Sequence, residues 1–584
     1  YQYTWCMFKR LLPYGIILLC LLPILFPLYS NSLLGSADNL AHLFRVVNLD
    51  YALRQGYLWP RWAALEGHGF GAPIFTINYV LPYYIVVGLW HLIGSLLHAS
   101  QIYMMLVLFL SACSMFLFTA EFFGVAASVS AAIAYVYFPY HLMTVYLYGG
   151  YGEALAYVLL PLVLVFFYRL IRRQSFLYFT ATSLCLGILI LSHNLSALMA
   201  VVLMMTLVPV LWQSDQRKVR TILLFLGTVL SSALFTAWFW LPAVFEQQYT
   251  KLGILFEKET ALRGYFFQLI SPVIKNSFKL LRLQAPDYYA YAIGIPSILL
   301  FVLGVIYYIF NKIGMFNKTG HKASLSTRLG FYFIFWCTLS FIMTRSISEP
   351  LWNILPSKFN FFSYPYRFFF ITTFATAGIT ACVVDILWKS LSRKRALVLS
   401  AAITALFIWQ GYMYSHPNID TFSFEESYFT TVQTVRYAPN TYKNMGYIEF
   451  IPTTADSNFI NALDSFAEPT SKVEIVSGQA SANVVIQKAQ DLYIDINASS
   501  QSLLQVNILY FPGWVGIING KRVIPTVDSV GRMVFPLPKG KYQLHIAFQQ
   551  TPIRSIATYI SFISLFCLMI YGLRKLLSLI LRRK

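Results

Sequence analysis

Long apolar runs separated by short polar turns make up most of this chain. About twelve of these runs approach the 20 or so residues that a helix needs to cross the hydrocarbon core of a bilayer. The pattern therefore predicts an α-helical polytopic membrane protein. The predicted spans are residues 11–30, 102–121, 125–142, 154–171, 175–192, 196–213, 221–243, 290–311, 329–345, 366–388, 396–414 and 555–575.

One apolar run, residues 79–97, is expected not to cross. If it crossed, the basic clusters at 169–173 and 217–220 would lie outside, against the excess of Lys and Arg that marks cytoplasmic loops. If the run lies along the membrane surface, both clusters fall inside. We therefore expect a juxtamembrane helix at 79–97 and place both chain ends in the cytoplasm.

A segment of different character interrupts the helical pattern near the end of the chain. Short alternating stretches at 492–497 and 503–510 are typical of strands, and Asn519-Gly520 favours a type I′ hairpin turn. This predicts a small extracytoplasmic β-sandwich. The expected division is a transmembrane domain at 1–414, whose first external loop, 31–101, carries catalytic groups, a β-rich domain at 415–553, and a final helix with a basic tail at 554–584.

Composition supports a membrane protein and narrows its chemistry. Of the 584 residues, 58% are hydrophobic and 11% are charged, against roughly a quarter charged in soluble domains, which excludes a soluble enzyme. The net charge of +20 comes from basic residues in the turns between apolar runs, so it indicates loop topology and no nucleic-acid partner. The seven cysteines form no CxxC pair, so neither a disulfide framework nor a zinc site is indicated.

The first external loop contains the first candidate for chemistry. Asp38, His42 and Arg45 are spaced by four and three residues, which places a carboxylate, an imidazole and a guanidinium on one face of a helix. Asp38 could equally do no more than cap that helix. Further along, Arg61 and His68 lie in a Trp- and Gly-rich stretch, for which anchoring in the aromatic belt is the alternative interpretation.

Three later turns carry polar groups predicted to lie on the same side of the membrane. Glu153 follows a Gly-rich turn, although it could be an ordinary first-turn acid favoured by the helix dipole. His193 and Asn194 stand between two spans with almost no loop, where a helix cap is the alternative. Tyr366 and Arg367 lie at the mouth of an aromatic span, where an Arg suits a phosphate group and interfacial snorkelling is the alternative.

With these motifs in view, the chain resembles the bacterial YfhO-type integral membrane proteins, which are placed in the GT-C superfamily of glycosyltransferases that use polyprenyl-phosphate sugars. The resemblance covers nearly the whole chain, with Tyr366 where a Trp is common and Asn519 where an Asp is usual. It implies a GT-C-like fold. By position, it implies catalytic roles for Asp38 and Glu153, donor-phosphate binding by Arg367, His193 and Arg45, and supporting roles for His42, Arg61, His68, Asn194 and Tyr366.

The expected function is transfer of a sugar from a polyprenyl-phosphate-linked donor to an acceptor, which is a cell-envelope glycan, a polymer or a lipid. It would take place at the extracytoplasmic side of the bacterial cytoplasmic (inner) membrane, in contact with membrane lipids. No cofactor is certain; two carboxylates suit Mg²⁺ or Mn²⁺, and the metal stays open. The β-rich domain could bind the acceptor, with Trp514 as a stacking surface, although a buried core Trp is favoured.

Two other classes of function remain open. A transporter or flippase of lipid-linked saccharides would also need a lateral cavity and basic groups for a phosphate. Such transporters commonly have paired discontinuous helices near the midplane, whereas here the polar candidates gather at one face. A non-catalytic scaffold built around the β-rich domain would tolerate loss of Asp38.

Overall fold

The structure is a computed structural model that describes residues 2–34, 36–67, 69–212, 218–252, 273–281, 291–312, 324–354, 364–415, 421–423, 448–456 and 471–581. Most of these residues are helical. The helices are α1 (Gln2–Leu25), α2 (Asn39–Arg54), α3 (Ile74–Ile77), α4 (Leu81–Ile93), α5 (Leu96–Thr119), α6 (Val125–Val136), α7 (Pro139–Met143), α8 (Tyr151–Arg173), α9 (Phe176–Ser192), α10 (Asn194–Leu211), α11 (Lys218–Phe235), α12 (Ala237–Glu246), α13 (Val273–Leu281), α14 (Ile295–Lys312), α15 (Leu325–Met343), α16 (Glu349–Ile354), α17 (Phe369–Ser390), α18 (Arg393–Ser415) and α19 (Pro552–Leu581).

Nine helices among the described residues are long and apolar enough to cross a membrane. A tenth candidate is the pair α6 and α7 with the π-helical turn Thr144–Tyr148, which bends by 48° where Pro139 lacks an amide to continue the helical hydrogen bonds. Two more of the twelve predicted spans fall on shorter apolar helices, Phe176–Ser192 and Ile295–Ile309. The chain is therefore a membrane protein in which all twelve predicted spans fall on apolar helices, and nine to ten of them within the described residues are long enough to be candidate spans.

Helix α4 agrees with the expectation that residues 79–97 do not cross. Its 13 residues extend about 20 Å at 1.5 Å per residue, which is less than the thickness of the hydrocarbon core. It ends at Gly94, whose φ of +82° is the left-handed conformation that closes many helices. Ser95 then accepts a hydrogen bond from the His98 amide and begins α5.

The C-terminal domain consists of antiparallel sheets, as predicted. One sheet has the strand order β3-β6-β10-β9 and the other β4-β5-β11-β7-β8. Asn519 and Gly520 have φ of +49° and +76°, the conformation of the type I′ turn expected between β7 and β8. The strands are β1 (Ser32–Leu34), β2 (Thr421–Ser423), β3 (Val473–Ser477), β4 (Ala480–Gln487), β5 (Asp491–Ala498), β6 (Ser502–Leu509), β7 (Trp514–Ile518), β8 (Lys521–Val523), β9 (Thr526–Val527), β10 (Arg532–Leu537) and β11 (Gly540–Phe548).

The sheet domain packs against the segment that follows α2. The Leu509 amide donates a hydrogen bond to the Phe70 carbonyl at 3.0 Å, and the Lys472 ammonium donates to the Gly69 carbonyl. Trp62 meets Trp514 edge to face with ring centroids 5.5 Å apart. Trp514 is 1% exposed, so it is the buried core residue that the sequence favoured, and it offers no surface for a glycan. The loop between α2 and α3 is thus held by the sheet domain.

Candidate functional site

Asp38 stands at the N-terminus of α2, and its backbone is tied to the turn that precedes α8. The amides of Ala37 and Asp38 donate hydrogen bonds of 2.9 Å to the carbonyls of Leu147 and Tyr148. The carboxylate of Asp38 makes no hydrogen bond to the amides of the first turn of α2. The carboxylate therefore does not cap the helix, and its backbone position is set by the chain that leads to Glu153.

Gly149 makes this close approach possible. It adopts φ +65°, and a Cβ there would lie 2.5 Å from the Ser36 hydroxyl and 3.1 Å from Asn39 Cβ. A side chain would therefore push the two segments apart. The Tyr151 hydroxyl completes the contact by donating to the Asn39 side-chain oxygen at 3.2 Å.

The predicted face of α2 is present, and Tyr83 of α4 organises it. The Arg45 guanidinium donates to the Tyr83 hydroxyl at 3.2 Å, and the same hydroxyl lies 2.9 Å from His42 Nδ1. Burial, together with the Arg45 charge, holds the pKa of His42 well below its usual value. His42 is therefore neutral, and its Nδ1 shares a hydrogen bond with the Tyr83 hydroxyl.

Tyr79, which sequence reasoning did not single out, connects Glu153 to the junction of α9 and α10. Its ring lies edge-on to the His193 ring, with centroids 5.8 Å apart. A Cβ at Gly152 would lie 2.5 Å from both the Tyr79 ring and the Ser192 carbonyl, so the start of α8 packs directly against this junction. Tyr79 also interacts electrostatically with the carboxylates of Asp38 and Glu153.

His193, and not Asn194, caps α10. Its Nδ1 accepts a hydrogen bond from the Ser196 amide at 3.4 Å and lies 2.8 Å from the Ser196 hydroxyl. Since an amide can only donate, Nδ1 carries no hydrogen and Nε2–H remains as a donor. Asn194 is exposed at the first position of the helix. The alternative of a helix cap by Asn194 and Ser196 is therefore wrong in its residues, since His193 is the cap, and the second nitrogen of His193 keeps its capacity to donate to a ligand.

Arg367 joins these groups from the turn that leads into α17. Its guanidinium lies 4.7 Å from the centre of the Tyr364 ring. Its charge acts on the carboxylates of Asp38 and Glu153 and on the imidazole of His193. The structure therefore brings together an Arg, two carboxylates and an imidazole that the sequence distributes over four separate turns. We call Asp38, Tyr79, Glu153, His193 and Arg367 the polar cluster.

The polar cluster is open to solvent and yet surrounded by protein. Asp38 is exposed, and the other four members are half-buried. The surrounding protein raises the pKa of Asp38 above its usual range, while the charges of Arg45 and Arg367 pull it down. A carboxylate in such a place is a stronger base than one in water and can still reach a substrate.

The remaining predicted site residues are Arg61, His68 and Tyr366, and of the two that the structure describes only Tyr366 lies next to the polar cluster. Arg61 is buried, donates to the Trp238 carbonyl at 2.6 Å and lies over the Trp238 ring, so its contacts are with α12 and not with the polar cluster. The charge of Arg61 interacts with the charges of Glu246 and Arg554. His68 lies outside the described residues. Tyr366 packs beside Arg367 with its ring stacked on Tyr148 at 5.9 Å.

Glu66 is a buried acid near Arg45 that sequence reasoning missed. Asn48 donates to its carboxylate at 3.4 Å, and the loss of hydration raises its pKa to about 7 although the Arg45 charge opposes this. A lone Glu in an apolar, Gly-rich segment was the available signal. The charges of Glu66 and Arg45 act on each other, so the protonation of Glu66 affects the electrostatic surroundings of Arg45.

These features define an integral membrane protein with a polar cluster at the ends of several helices and a C-terminal antiparallel sheet domain. A family model described as "6-pyruvoyl-tetrahydropterin synthase related domain; membrane protein" matches residues 77–415, more than half of the chain. The chain therefore belongs to this family of membrane proteins. No curated protein matches it.

Solved structures of membrane enzymes show a loose likeness. The oligosaccharyltransferase of Archaeoglobus fulgidus, in complex with Zn and sulfate, is 12% identical over 69% of this chain with a TM-score of 0.42; the chain spans about half of its length, 53%. ArnT from Cupriavidus metallidurans in the apo state is 13% identical over 66% of this chain and 81% of ArnT, with a TM-score of 0.31. ArnT bound to undecaprenyl phosphate is 11% identical over 84% of this chain and 99% of ArnT, also with a TM-score of 0.31. At these values no residue role is transferred from them.

Proposed function

We propose that the protein is a membrane glycosyltransferase that moves a sugar from a polyprenyl-phosphate-linked donor to an extracytoplasmic acceptor, and that it is a GT-C-type enzyme related to the YfhO-type proteins. The observation that carries the proposal is that the charge of Arg367 acts on two carboxylates, the exposed Asp38 and the half-buried Glu153. Displacement of a sugar from a lipid phosphate needs a base at one end and positive charge at the other. The polar cluster supplies both.

In this proposal Asp38 accepts the proton of the acceptor hydroxyl. The acceptor oxygen then forms a bond to the anomeric carbon of the sugar, and the bond from that carbon to the phosphate oxygen breaks with its electron pair leaving on the phosphate. Arg367 stabilises the departing phosphate through its planar fork of N–H donors. The Nε2–H of His193 is a second donor for the same group.

Arg45 and Glu153 have different parts. Arg45 is buried beneath Tyr83, so it acts on Asp38 and His42 through its charge and does not touch the donor. This replaces the phosphate-binding role that the sequence resemblance implied for Arg45 with a supporting one. Glu153 is half-buried at the start of α8, where its carboxylate would orient the acceptor by accepting hydrogen bonds from its hydroxyl groups.

A divalent cation is compatible with one mode of binding. Within the described part of the chain, no group of three or more His, Cys, Asp and Glu side chains could hold a metal ion. Asp38 and Glu153 could supply two carboxylate ligands, and Mg²⁺ or Mn²⁺ would then need phosphate or water oxygens to complete its shell. When bound, such an ion would neutralise charge on the donor phosphate.

The experiment that tests the proposal uses the purified protein in proteoliposomes with synthetic polyprenyl-phosphate sugars carrying a radiolabel. Transfer of label to an added glycan or lipid acceptor, or to water at a low rate, supports a glycosyltransferase. Movement of the lipid-linked sugar across the bilayer without transfer would instead identify the transporter that the sequence left open. Addition of EDTA to an active preparation decides whether a divalent cation is required.

A further inference from the structure

Two tyrosine rings connect the ends of the polar cluster. Tyr148 provides the carbonyl that accepts the Asp38 amide, and Tyr366 directly precedes Arg367 in the chain. The rings of Tyr148 and Tyr366 are nearly parallel, at 17°, with centroids 5.9 Å apart. The Tyr140 ring lies 6.3 Å from that of Tyr366 and its hydroxyl interacts electrostatically with Glu153, Tyr148 and Tyr366, so the pair of rings lies next to the polar cluster.

A third tyrosine fixes the pair in place. The Tyr291 hydroxyl forms a 2.6 Å hydrogen bond with the Tyr148 hydroxyl, and its ring stacks on Tyr366 with centroids 5.3 Å apart. Tyr291 is 1% exposed and packs in parallel on the buried Phe369 of α17. Rings that pack against a buried aromatic residue keep their orientation, so little freedom would be lost when a ligand binds them.

Tyr148 and Tyr366 are themselves partly exposed, unlike Tyr291. A pyranose ring has an apolar face of C–H groups and a rim of hydroxyl groups. The π-face of an aromatic ring carries partial negative charge, so it attracts that C–H face, and the carboxylates of Asp38 and Glu153 would accept hydrogen bonds from the rim. Phosphate at Arg367 would place the attached sugar beside the rings.

We propose that Tyr148 and Tyr366 form the platform that binds the sugar of a lipid-phosphate-linked donor. This deepens the proposed function and rests on it. The ligand is a single pyranose joined to a polyprenyl phosphate: its phosphate is held by Arg367, one face of the sugar lies on the tyrosines, and its anomeric carbon points toward Asp38. In this arrangement the two tyrosines provide the contribution of the sugar to donor affinity, and Arg367 provides the contribution of the phosphate.

The test measures binding of two probes to the full-length protein in detergent or nanodiscs. One probe is a short-chain polyprenyl-phosphate hexose, taken in turn as the glucose, galactose and mannose forms, and the other is the same lipid phosphate without sugar. Tyr366→Leu and Tyr148→Leu are expected to weaken binding of the sugar-bearing probe about fivefold, the range measured for aromatic contacts, and to leave the sugar-free probe within twofold. Arg367→Gln should weaken both probes.

Two further variants separate a sugar contact from a folding effect. Tyr366→Phe keeps the ring and should retain the preference for the sugar-bearing probe. Tyr559→Leu removes an exposed aromatic ring on α19, away from the polar cluster, and should change neither affinity. Thermal midpoints of all variants confirm that they are folded.

Each other outcome overturns a distinct statement. If Tyr366→Leu weakens both probes equally, the ring acts by positioning Arg367 and the platform is wrong. If the two leucine variants bind both probes like the wild type, the sugar does not lie on these rings. If the wild-type protein binds the sugar-free lipid phosphate but gains nothing from any of the sugars, the platform fails while the phosphate site stands. If it binds neither probe, the proposed function itself fails.

Discussion

The backbone amide of Asp38 donates a 2.9 Å hydrogen bond to the carbonyl of Tyr148. Residues more than a hundred positions apart are thereby joined at the point where the chain turns toward Glu153. The relative placement of the two carboxylates is set by backbone hydrogen bonds, which do not depend on the charge of either side chain. Substitution of a carboxylate should therefore alter chemistry more than structure, whereas damage to the turn should alter both.

Gly149→Ala tests the turn. The new Cβ would meet the Ser36 hydroxyl at 2.5 Å, and a left-handed backbone at a residue other than Gly costs about 1–3 kcal/mol. We expect a lower thermal midpoint and a large loss of sugar transfer, because Asp38 moves away from Glu153. Gly94→Ala is the matched control: φ is +82° there and nothing lies within 4 Å of a Cβ, so it should have the same backbone cost without a steric clash and leave transfer intact. Equal effects of both variants on transfer would contradict this role of the turn.

Arg554→Met tests the buried ion pair between α12 and α19. Arg554 is fully buried and donates to the Glu246 carboxylate at 2.8 Å, so its loss would leave a buried charge without a counterion. We expect a loss of about 3–5 kcal/mol in stability, measured by thermal or urea unfolding in detergent. The double variant Glu246→Gln with Arg554→Met removes both charges and should recover part of the loss. If the double variant is less stable than Arg554→Met alone, the charge argument is wrong.

The dependence of stability on pH should report Glu66. Its pKa in the folded protein is raised to about 7, so the protonated side chain stabilises the fold at low pH. This contribution is lost as the pH rises from the pKa of Glu66 in the unfolded chain through 7. Glu66→Gln imitates the protonated acid, so it should flatten this fall and stabilise the protein at pH 8 by up to about 3 kcal/mol. Melting curves recorded between about pH 5 and pH 8, the range in which Glu66 would titrate, measure this dependence of stability on pH. The exposed Glu349→Gln should leave the slope unchanged, and an unaltered slope in Glu66→Gln would exclude a buried titration at this site.

The acid side of the pH–rate profile should report Asp38. A carboxylate must be ionised to accept a proton, and the surrounding protein raises the pKa of Asp38 while the charges of Arg45 and Arg367 lower it. Transfer should therefore fall as the pH drops through this raised pKa. Arg45→Gln removes one of the opposing charges, so it should move the acid limb to higher pH, in a pH–rate series at saturating donor. If the acid limb of the pH–rate profile does not move in Arg45→Gln, a group other than Asp38 determines it.

Much of the fold follows from local patterns. The apolar runs predicted the helical membrane domain, and the alternating stretch 503–510 with the pair Asn519-Gly520 predicted the strands and turn that the structure contains. Hydropathy and charge also predicted that residues 79–97 do not cross the membrane, which is consistent with the short α4. Apolar composition does not fix where a helix begins and ends: α9, one of the predicted spans, extends over only 17 residues.

The site was predictable in part. Helical spacing placed Asp38, His42 and Arg45 on one face, but it could not show that Asp38 leaves the helix amides unbound or that Tyr83 joins the other two. The family resemblance implied a supporting role for Arg61, whereas its backbone and side chain contact Gln490 and Trp238. Contacts of this kind depend on tertiary packing, which leaves no periodic signal in the chain.

Transfer by Asp38→Asn, compared with the wild type and with Asp50→Asn, tests the central proposal most directly. Asn is nearly isosteric and cannot act as the base. Asp50 lies on the same helix, but its carboxylate pairs with Arg54 and His91, which makes it a matched control. With a radiolabelled polyprenyl-phosphate sugar in proteoliposomes, we expect Asp38→Asn to lose at least about 100-fold in rate, the contribution typical of a general base, and Asp50→Asn to stay within a few-fold of the wild type. Transfer by a folded Asp38→Asn at the wild-type rate would contradict the account.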